Sequence, residues 1–452
     1  MSLTKHPEGS LRELLSISFP LMLSEFSVMS MLFIDRMLLA HYSTDALNAA
    51  VNATTFGWVF AVSGIVLCGI SKVFVAQYNG SGEKHRLGEP VWQMLYLGLA
   101  SLLFFIPFAI WGTDLVYGPD RLYERDYFRW MMYFGSSYAL YGALAGFFIG
   151  RGEVVLITVV ALITNFMNAF MDMALIFGVE GWIPSLGVKG AAIATSSSSM
   201  FQVIVLFMVF MSRKNRENYG TANITFFPQL FWRCIKIGMP AATFVGFEVL
   251  GFATYYWIMT LAGKDYITVA GIAQSVIILF FFFGEGIMQA VTTIVGNLIG
   301  AGRSYLVSNV VRVGLRLHFL FFLFIFIFLF FESDFVIALF LPDASPEDLN
   351  RLHQPLTLVL YSSLFYLLFE GIRLLFAGVM MAAGDTLFLM VGGSLSIWAF
   401  MVLPIYYVVS NGIATLETGP YICVFYSFLA SVIYYARFTT GKWREMPALS
   451  QE

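Results

Sequence analysis

FPLMLSEFSVMSMLFIDRMLLA, from Phe19 to Ala40, decides the fold. It is long and apolar enough to cross a bilayer, which takes about 20 residues. It also carries Glu25, Asp35 and Arg36. A soluble amphipathic helix shows charge every few residues on one face, and this stretch does not. A carboxylate at membrane depth costs roughly 3 kcal/mol on insertion scales. Its presence implies a use, and Asp35 reads as one pole of a cation-binding cavity in a membrane transporter.

The rest of the chain has the same character. Hydrophobic residues make up 59% and charged residues 12% of 452 positions, about half the charged share of soluble domains. Twelve apolar segments follow in order: 14–40, 46–77, 90–112, 126–149, 154–178, 188–211, 233–262, 267–299, 307–331, 353–382, 386–410 and 418–438. The run LHFLFFLFIFIFLFF, from Leu317 to Phe331, is the purest lipid-facing candidate. The first residues, MSLTKHPEGSLRELL, lack a signal-peptide core, so insertion is expected through the first spanning helix.

Loop charge gives an orientation. With the N-terminus inside, sixteen Lys and Arg face the cytoplasm, and five (Arg121, Arg125, Lys189, Lys264 and Arg351) face outward. Both termini are therefore expected in the cytoplasm, with the chain in the inner (plasma) membrane. The connections 112–126 and 331–352 are acidic, the second through Glu332, Asp334, Asp343, Glu347 and Asp348, and fit the outer face. The net charge of −3 sits in short loops and suggests no nucleic-acid partner. Cys68, Cys234 and Cys423 lack metal-ligand spacing.

The two halves repeat each other. Pro20 and Pro240 lie 220 residues apart, as do Gly80 in QYNGSG and Gly300 in NLIGAG. RGE at 151–153 matches AGD at 383–385 with an offset of 232. Six helices return the chain to the same side, so the repeats are expected to be parallel, about an axis along the membrane normal. The expected lobes are 1–215 and 216–452.

Buried polar residues cluster by lobe. In ITNFMNAFMDMALIFG, Asn165, Asn168 and Asp172 are spaced at three and four and share one helix face. They cannot face lipid, and across a cavity they would meet Asp35. Two carboxylates and two amides offer hard oxygen ligands for Na⁺, and the same carboxylates can carry H⁺. The alternative is a hydrogen-bond network that only joins helices. In the second half Glu248 follows Pro240 by eight residues, and Tyr366 and Glu370 share a face at i, i+4. Arg373 can line the same cavity or simply neutralise Glu370. Glu285, between glycines, is a further cavity candidate, as are Asn52 and Gln274, which occupy matching places in the repeats. Glu25 and Lys72 have side chains long enough to snorkel to an interface.

These motifs together, over about 14–440, resemble the multidrug and toxin extrusion (MATE) family of the MOP flippase superfamily. The resemblance rests on the Asp35 helix, VAQYNGSG, NFMNAFMDMALIFG followed by LGVKGAAIAT, GMPAATFVGFE, NLIGAG and GVMMAAGDT, in that order. It implies an all-α integral membrane protein, with twelve helices in two six-helix lobes forming a V around a central cavity. It implies export of amphipathic, often cationic, drugs or metabolites against entry of Na⁺ or H⁺, with no other cofactor. Family cation positions carry over to Asp35, Asn168 and Asp172, with Asn165 beside them, and to Thr195 in GAAIAT. Second-lobe positions carry over to Glu248, Tyr366 and Glu370. Many members similar to this chain have Asp where Glu370 stands, and an uncharged polar residue is expected at Arg373. The first-lobe set is therefore the main expected ion site.

A lipid-linked glycan flippase is the rival, from a distantly similar part of the superfamily, as is an exporter of one specific metabolite. An enzyme is not expected, because His6, His41, His85, His318 and His353 are scattered. Two covalently linked lobes need no partner chain, so a monomer is expected.

Overall fold

A computed structural model describes residues 3–340 and 346–445. Asp343 lies outside the described residues, and so do the side chains of Glu347 and Asp348. Among the described residues the regular structure is helical, apart from one isolated bridge between Val179 and Ile183.

Among the described residues eleven helices are long and apolar enough to span a membrane. In the first half they are α1 (Leu11–Tyr42), α2 (Thr44–Ser81), α3 (Lys84–Val116), α5 (Val154–Ile176) and α6 (Val188–Phe210). In the second half they are α7 (Pro228–Ala262), α8 (Lys264–Gly300), α9 (Ser304–Ala338), α10 (Arg351–Ala383), α11 (Thr386–Ser410) and α12 (Thr418–Thr439). The twelfth, α4, is broken into Leu122–Tyr133 and Gly135–Gly150. The backbone leaves helical geometry at Phe134 (φ −100°, ψ 8°). Neither piece alone is long enough to span, but end to end they occupy the segment expected at 126–149.

A continuous apolar surface explains why these sequences are helices. In lipid every backbone N–H and C=O must be satisfied within the segment. α9 shows the lipid-facing side: Phe319, Phe324, Phe330 and Phe331 are exposed, whereas Leu317, Ile325 and Leu329 are buried.

Packing repeats with the chain. α2 packs on α4 as α8 packs on α10, α1 on α5 as α7 on α11, and α4 on α6 as α10 on α12. The lobes meet where α1 touches α8 and α7 touches α2. Exchanging the halves turns the first contact into the second, so the axis is a pseudo-two-fold and the repeats are parallel.

The seam between lobes is tightest at the end carrying the basic loops. Gln77 Nε2 donates to the Ala382 carbonyl at 2.8 Å, and Asn297 Nδ2 donates to the Gly150 carbonyl at 2.9 Å. Gln77 and Asn297 differ by 220 residues, and Gly150 and Ala382 by 232. These are the offsets of the sequence repeat, so the two bonds are one bond applied twice. Asn79 Nδ2 also donates to Asn297 Oδ1 at 2.7 Å. Gly80 lies against the Asn297 carbonyl and Gly300 against that of Gln77, so closely that a β-carbon would overlap each oxygen. Gly80→Ala or Gly300→Ala is therefore expected to cost about 1–3 kcal/mol, seen as a lower melting temperature in detergent. An unchanged melting temperature would show that the close approach is not needed.

Towards the other end the lobes part. A methyl at Gly246 of α7 would meet only Ser63 Oγ of α2, at 3.5 Å, and one at Gly271 nothing within 4 Å. The result is a V.

Candidate ion site and lobe chambers

α5 turns opposite faces to two environments. Phe166, Phe170 and Met173 are exposed on its outer side, whereas Asn168 and Asp172 are wholly buried. The buried face packs on α1 and α6, which bring Asp35 and Thr195. Asp35 is 4% exposed, while Arg36 beside it points outward. Thr195 Oγ1 donates to Asp35 Oδ2 at 3.1 Å, and Asn168 Nδ2 lies 3.5 Å from Thr195 Oγ1. Asp35 on α1 and Asp172 on the facing side of α5 are neighbours in this buried cluster.

The missing partners matter most. Asp35 Oδ1, both carboxyl oxygens of Asp172 and Asn168 Oδ1 are buried with no donor. Buried polar groups are ordinarily paired, and two adjacent carboxylates repel unless positive charge lies between them. The arrangement can accept a proton or a cation.

Asn165 is not part of this cluster. Its Nδ2 donates to the Ser27 carbonyl at 2.6 Å and also bonds Ser27 Oγ, tying α5 to α1. It lines an adjacent cavity of about 100 Å³ with Thr54, Tyr127, Tyr138, Thr195 and Gln202. Thr195 thus separates this chamber from the buried acid pair.

The second lobe is built differently. Arg373 Nε donates to Glu370 Oε2 at 2.9 Å, and Nη2 donates to Glu248 Oε1 at 2.7 Å and to Glu370 Oε1. Arg373 is 2% exposed. Its guanidinium fills the space between the two carboxylates that the sequence left open for a cation. Glu248, Tyr366 and Glu370 do share one chamber, of about 330 Å³, with Phe252, Tyr255, Tyr256 and Gln274.

Asn52 and Gln274 are not equivalent. Asn52 is exposed and lines neither chamber. The repeat offset of 220 relates Gln274 to Thr54, which lines the first-lobe chamber as Gln274 lines the second. The aligned Asn and Gln side chains obscured a register two residues away. Glu25 and Lys72 do not snorkel to an interface. Gln289 Nε2 of α8 donates to Glu25 Oε1 at 2.7 Å, which fixes Glu25 at the seam between lobes. His318 was missed as one of several scattered histidines. It is buried against Gly371, its Nε2 donating to the Leu368 carbonyl at 3.1 Å.

Two repeated six-helix lobes, a central seam and a buried carboxyl pair are the build of a multi-pass membrane transporter. The chain belongs to the MatE family, whose model matches residues 20–174 and 241–415. It is 25% identical to a probable multidrug resistance protein NorM of Thermotoga maritima, over 98% of this chain and 95% of that one. It is 24% identical to a probable multidrug resistance protein NorM of Bacillus cereus, over 75% and 77%. Its fold matches a crystal structure of the Vibrio cholerae MATE transporter VcmN with a TM-score of 0.83, at 15% identity, covering 96% of this chain and 98% of that one.

Proposed function

We propose that this chain is an antiporter that exports amphipathic, often cationic, drugs or metabolites by alternating access, driven by Na⁺ or H⁺. The supporting observation is the acid pair. Asp35 and Asp172 are buried together with oxygens that no donor serves, so the site is complete only with a positive charge aboard. Thr195 carries that event to the chamber wall, where a cargo would lie. The names of the relatives support a multidrug cargo.

In this reading the ion enters from outside, neutralises the pair, and repacks α1 against α5, which expels the cargo. The Gln77 and Asn297 bonds then close the cytoplasmic side, with both termini inside and the protein a monomer of the inner membrane. The ion site belongs to the first lobe (1–215). In the second (216–452), Arg373 is a permanent counter-charge that does the work of an ion. Each inward charge gains about 2.3 kcal/mol per 100 mV, which supports a roughly fiftyfold gradient of a neutral cargo. A flippase for anionic lipid heads gains no support, because the unserved buried charge is acidic.

The test is dye export from proteoliposomes under separately imposed Na⁺ and proton gradients. One gradient is expected to drive uphill export. Export that only ever equilibrates the dye would sink antiport. Thr195→Val removes one hydrogen bond to a charged oxygen, about 1.5 kcal/mol, and should weaken apparent ion affinity roughly tenfold. An unchanged ion titration would remove Thr195 from the site.

A further inference from the structure

The residues before α1 pass from one lobe to the other at the basic end of the seam. HPEGSLRE, 6–13, makes a turn and then starts a helix. Ser10 N donates to the Pro7 carbonyl at 3.1 Å with Gly9 at φ +70°, a tight turn whose third residue favours glycine. Ser10 Oγ caps α1 by accepting from Glu13 N at 3.2 Å. Glu13 is buried and accepts from Gly9 N at 2.6 Å, which fixes the turn to α1. The turn presents Glu8 and the Gly9 carbonyl to the start of α9, in the other lobe. Arg303 Nη1 donates to both carboxylate oxygens of Glu8, and Asn309 Nδ2 donates to the Gly9 carbonyl at 2.9 Å. Upstream, Leu3 lies against Gly152, at the α4–α5 turn of the first lobe.

The pseudo-two-fold repeats this arrangement with other residues. α7 packs on α3 as α1 packs on α9. The linker before α7 runs along α3. Trp92 Nε1 donates to the Thr221 carbonyl at 2.8 Å and Gln93 Nε2 to the Thr225 carbonyl at 3.1 Å. Gln93 Oε1 accepts from Phe227 N at 3.1 Å, one residue before α7. A methyl on Gly88 would lie 2.7 Å from the Gly220 carbonyl. Each lobe's first helix is thus clipped at its start to the third helix of the other lobe. The two clips differ in strength. The linker clip joins close-packed backbone to the buried Gln93. The other depends on one arginine and one amide, and the Arg303 and Glu8 side chains are 40% and 21% exposed. An ion pair that open to water is weak enough to break and remake.

We propose that residues 3–10 are a releasable latch. Glu8 and Arg303 hold the basic end of the seam shut, while the linker clip on α3 stays closed and serves as the hinge. Opening this end parts α1 from α9, so the Glu8 and Gly9 contacts must break. Glu8 and Arg303 line neither chamber and touch neither Asp35 nor Asp172. They set the balance between the two states and not the affinity for ion or cargo. The latch rests on the alternating-access reading above and goes beyond it by naming the contact that yields first.

The experiment uses the full chain in lipid nanodiscs, with nitroxide labels on Asn218→Cys and Thr439→Cys. Both positions are exposed and the three native cysteines are buried. Asn218 reports the first lobe, because Arg151 Nη1 donates to Asn215 Oδ1 at 3.2 Å and holds the linker helix there. Electron–electron distances give the fraction of molecules open at this end. Glu8→Gln and Arg303→Gln are each expected to raise that fraction about threefold, the effect of a part-exposed pair. The exchanged pair, Glu8→Arg with Arg303→Glu, should bring it back towards wild type. Salt at about 1 M, which screens exposed charges beyond about 3 Å, should raise the open fraction of wild type but not of Arg303→Gln. An open fraction unchanged in both single variants overturns the latch. So does a rise that the exchanged pair fails to reverse, because loss of a merely structural contact would behave that way. The distances are read with no gradient and no cargo, so failure of the latch is distinct from failure of gradient-driven export in liposomes.

Discussion

Asp35→Asn is expected to lower gradient-driven export by about two orders of magnitude while leaving a folded protein. Asn keeps the shape of the side chain and can still accept from Thr195, whose hydroxyl now serves Asp35 Oδ2 at 3.1 Å. It removes one of two neighbouring carboxyl groups, of which Asp35 Oδ1 and both Asp172 oxygens have no donor. The driving ion then loses much of its reason to enter, and a site that binds the ion weakly cannot couple it to cargo. The second carboxyl does not compensate, because Asp172 alone offers an incoming cation half the charge and half the oxygens of the pair. Asp172→Asn should give the same phenotype, and the double variant should be little worse than either single one, since residues acting as one unit are not additive. The measurement is uphill dye export from proteoliposomes, with melting temperature as the check on folding. Wild-type uphill export by Asp35→Asn would remove the carboxyl pair from the coupling mechanism.

That pair was legible in the sequence because membrane insertion makes each buried charge conspicuous. Asp35 stood inside a 22-residue apolar run, and Asn168 and Asp172 fell on one face by spacing alone. The spans were legible for the same reason, most within a few residues of the helices observed. The repeat offsets of 220 and 232 recur in two cross-lobe hydrogen bonds that the sequence did not announce, because a parallel repeat must place equivalent residues in equivalent contacts.

What stayed hidden depends on which helix faces which. Asn165 reads as a third ligand, and nothing in α5 alone says that its Nδ2 donates to the Ser27 carbonyl of α1. The break at Phe134 has no proline to announce it. Thr54 is too ordinary a residue to signal a chamber, so the more polar Asn52 drew attention instead.

The second lobe gives the other large expected effect. Arg373→Met should destabilise the protein by about 3–5 kcal/mol, the usual cost of removing one partner from a buried charge cluster. Arg373 serves both oxygens of Glu370 and one of Glu248, linking α10 to α7. Without it two carboxylates share a chamber walled by Tyr255, Tyr256 and Tyr366 with no cation between them. The penalty belongs mostly to those stranded charges and not to the lost arginine contacts. Arg373→Met combined with Glu248→Gln and Glu370→Gln should therefore recover most of the lost melting temperature, because replacing a whole buried ion cluster by neutral groups is often close to neutral. The triple variant also separates structure from coupling. If the guanidinium stands in permanently for an ion, the second lobe contributes no exchangeable charge. The triple variant should then keep the ion dependence set by Asp35 and Asp172. A triple variant that folds like wild type but transports fewer ions per cargo would show that the second lobe takes part in coupling. A single variant that melts within about 1 kcal/mol of wild type would show instead that the chamber is wet enough to solvate both carboxylates unaided.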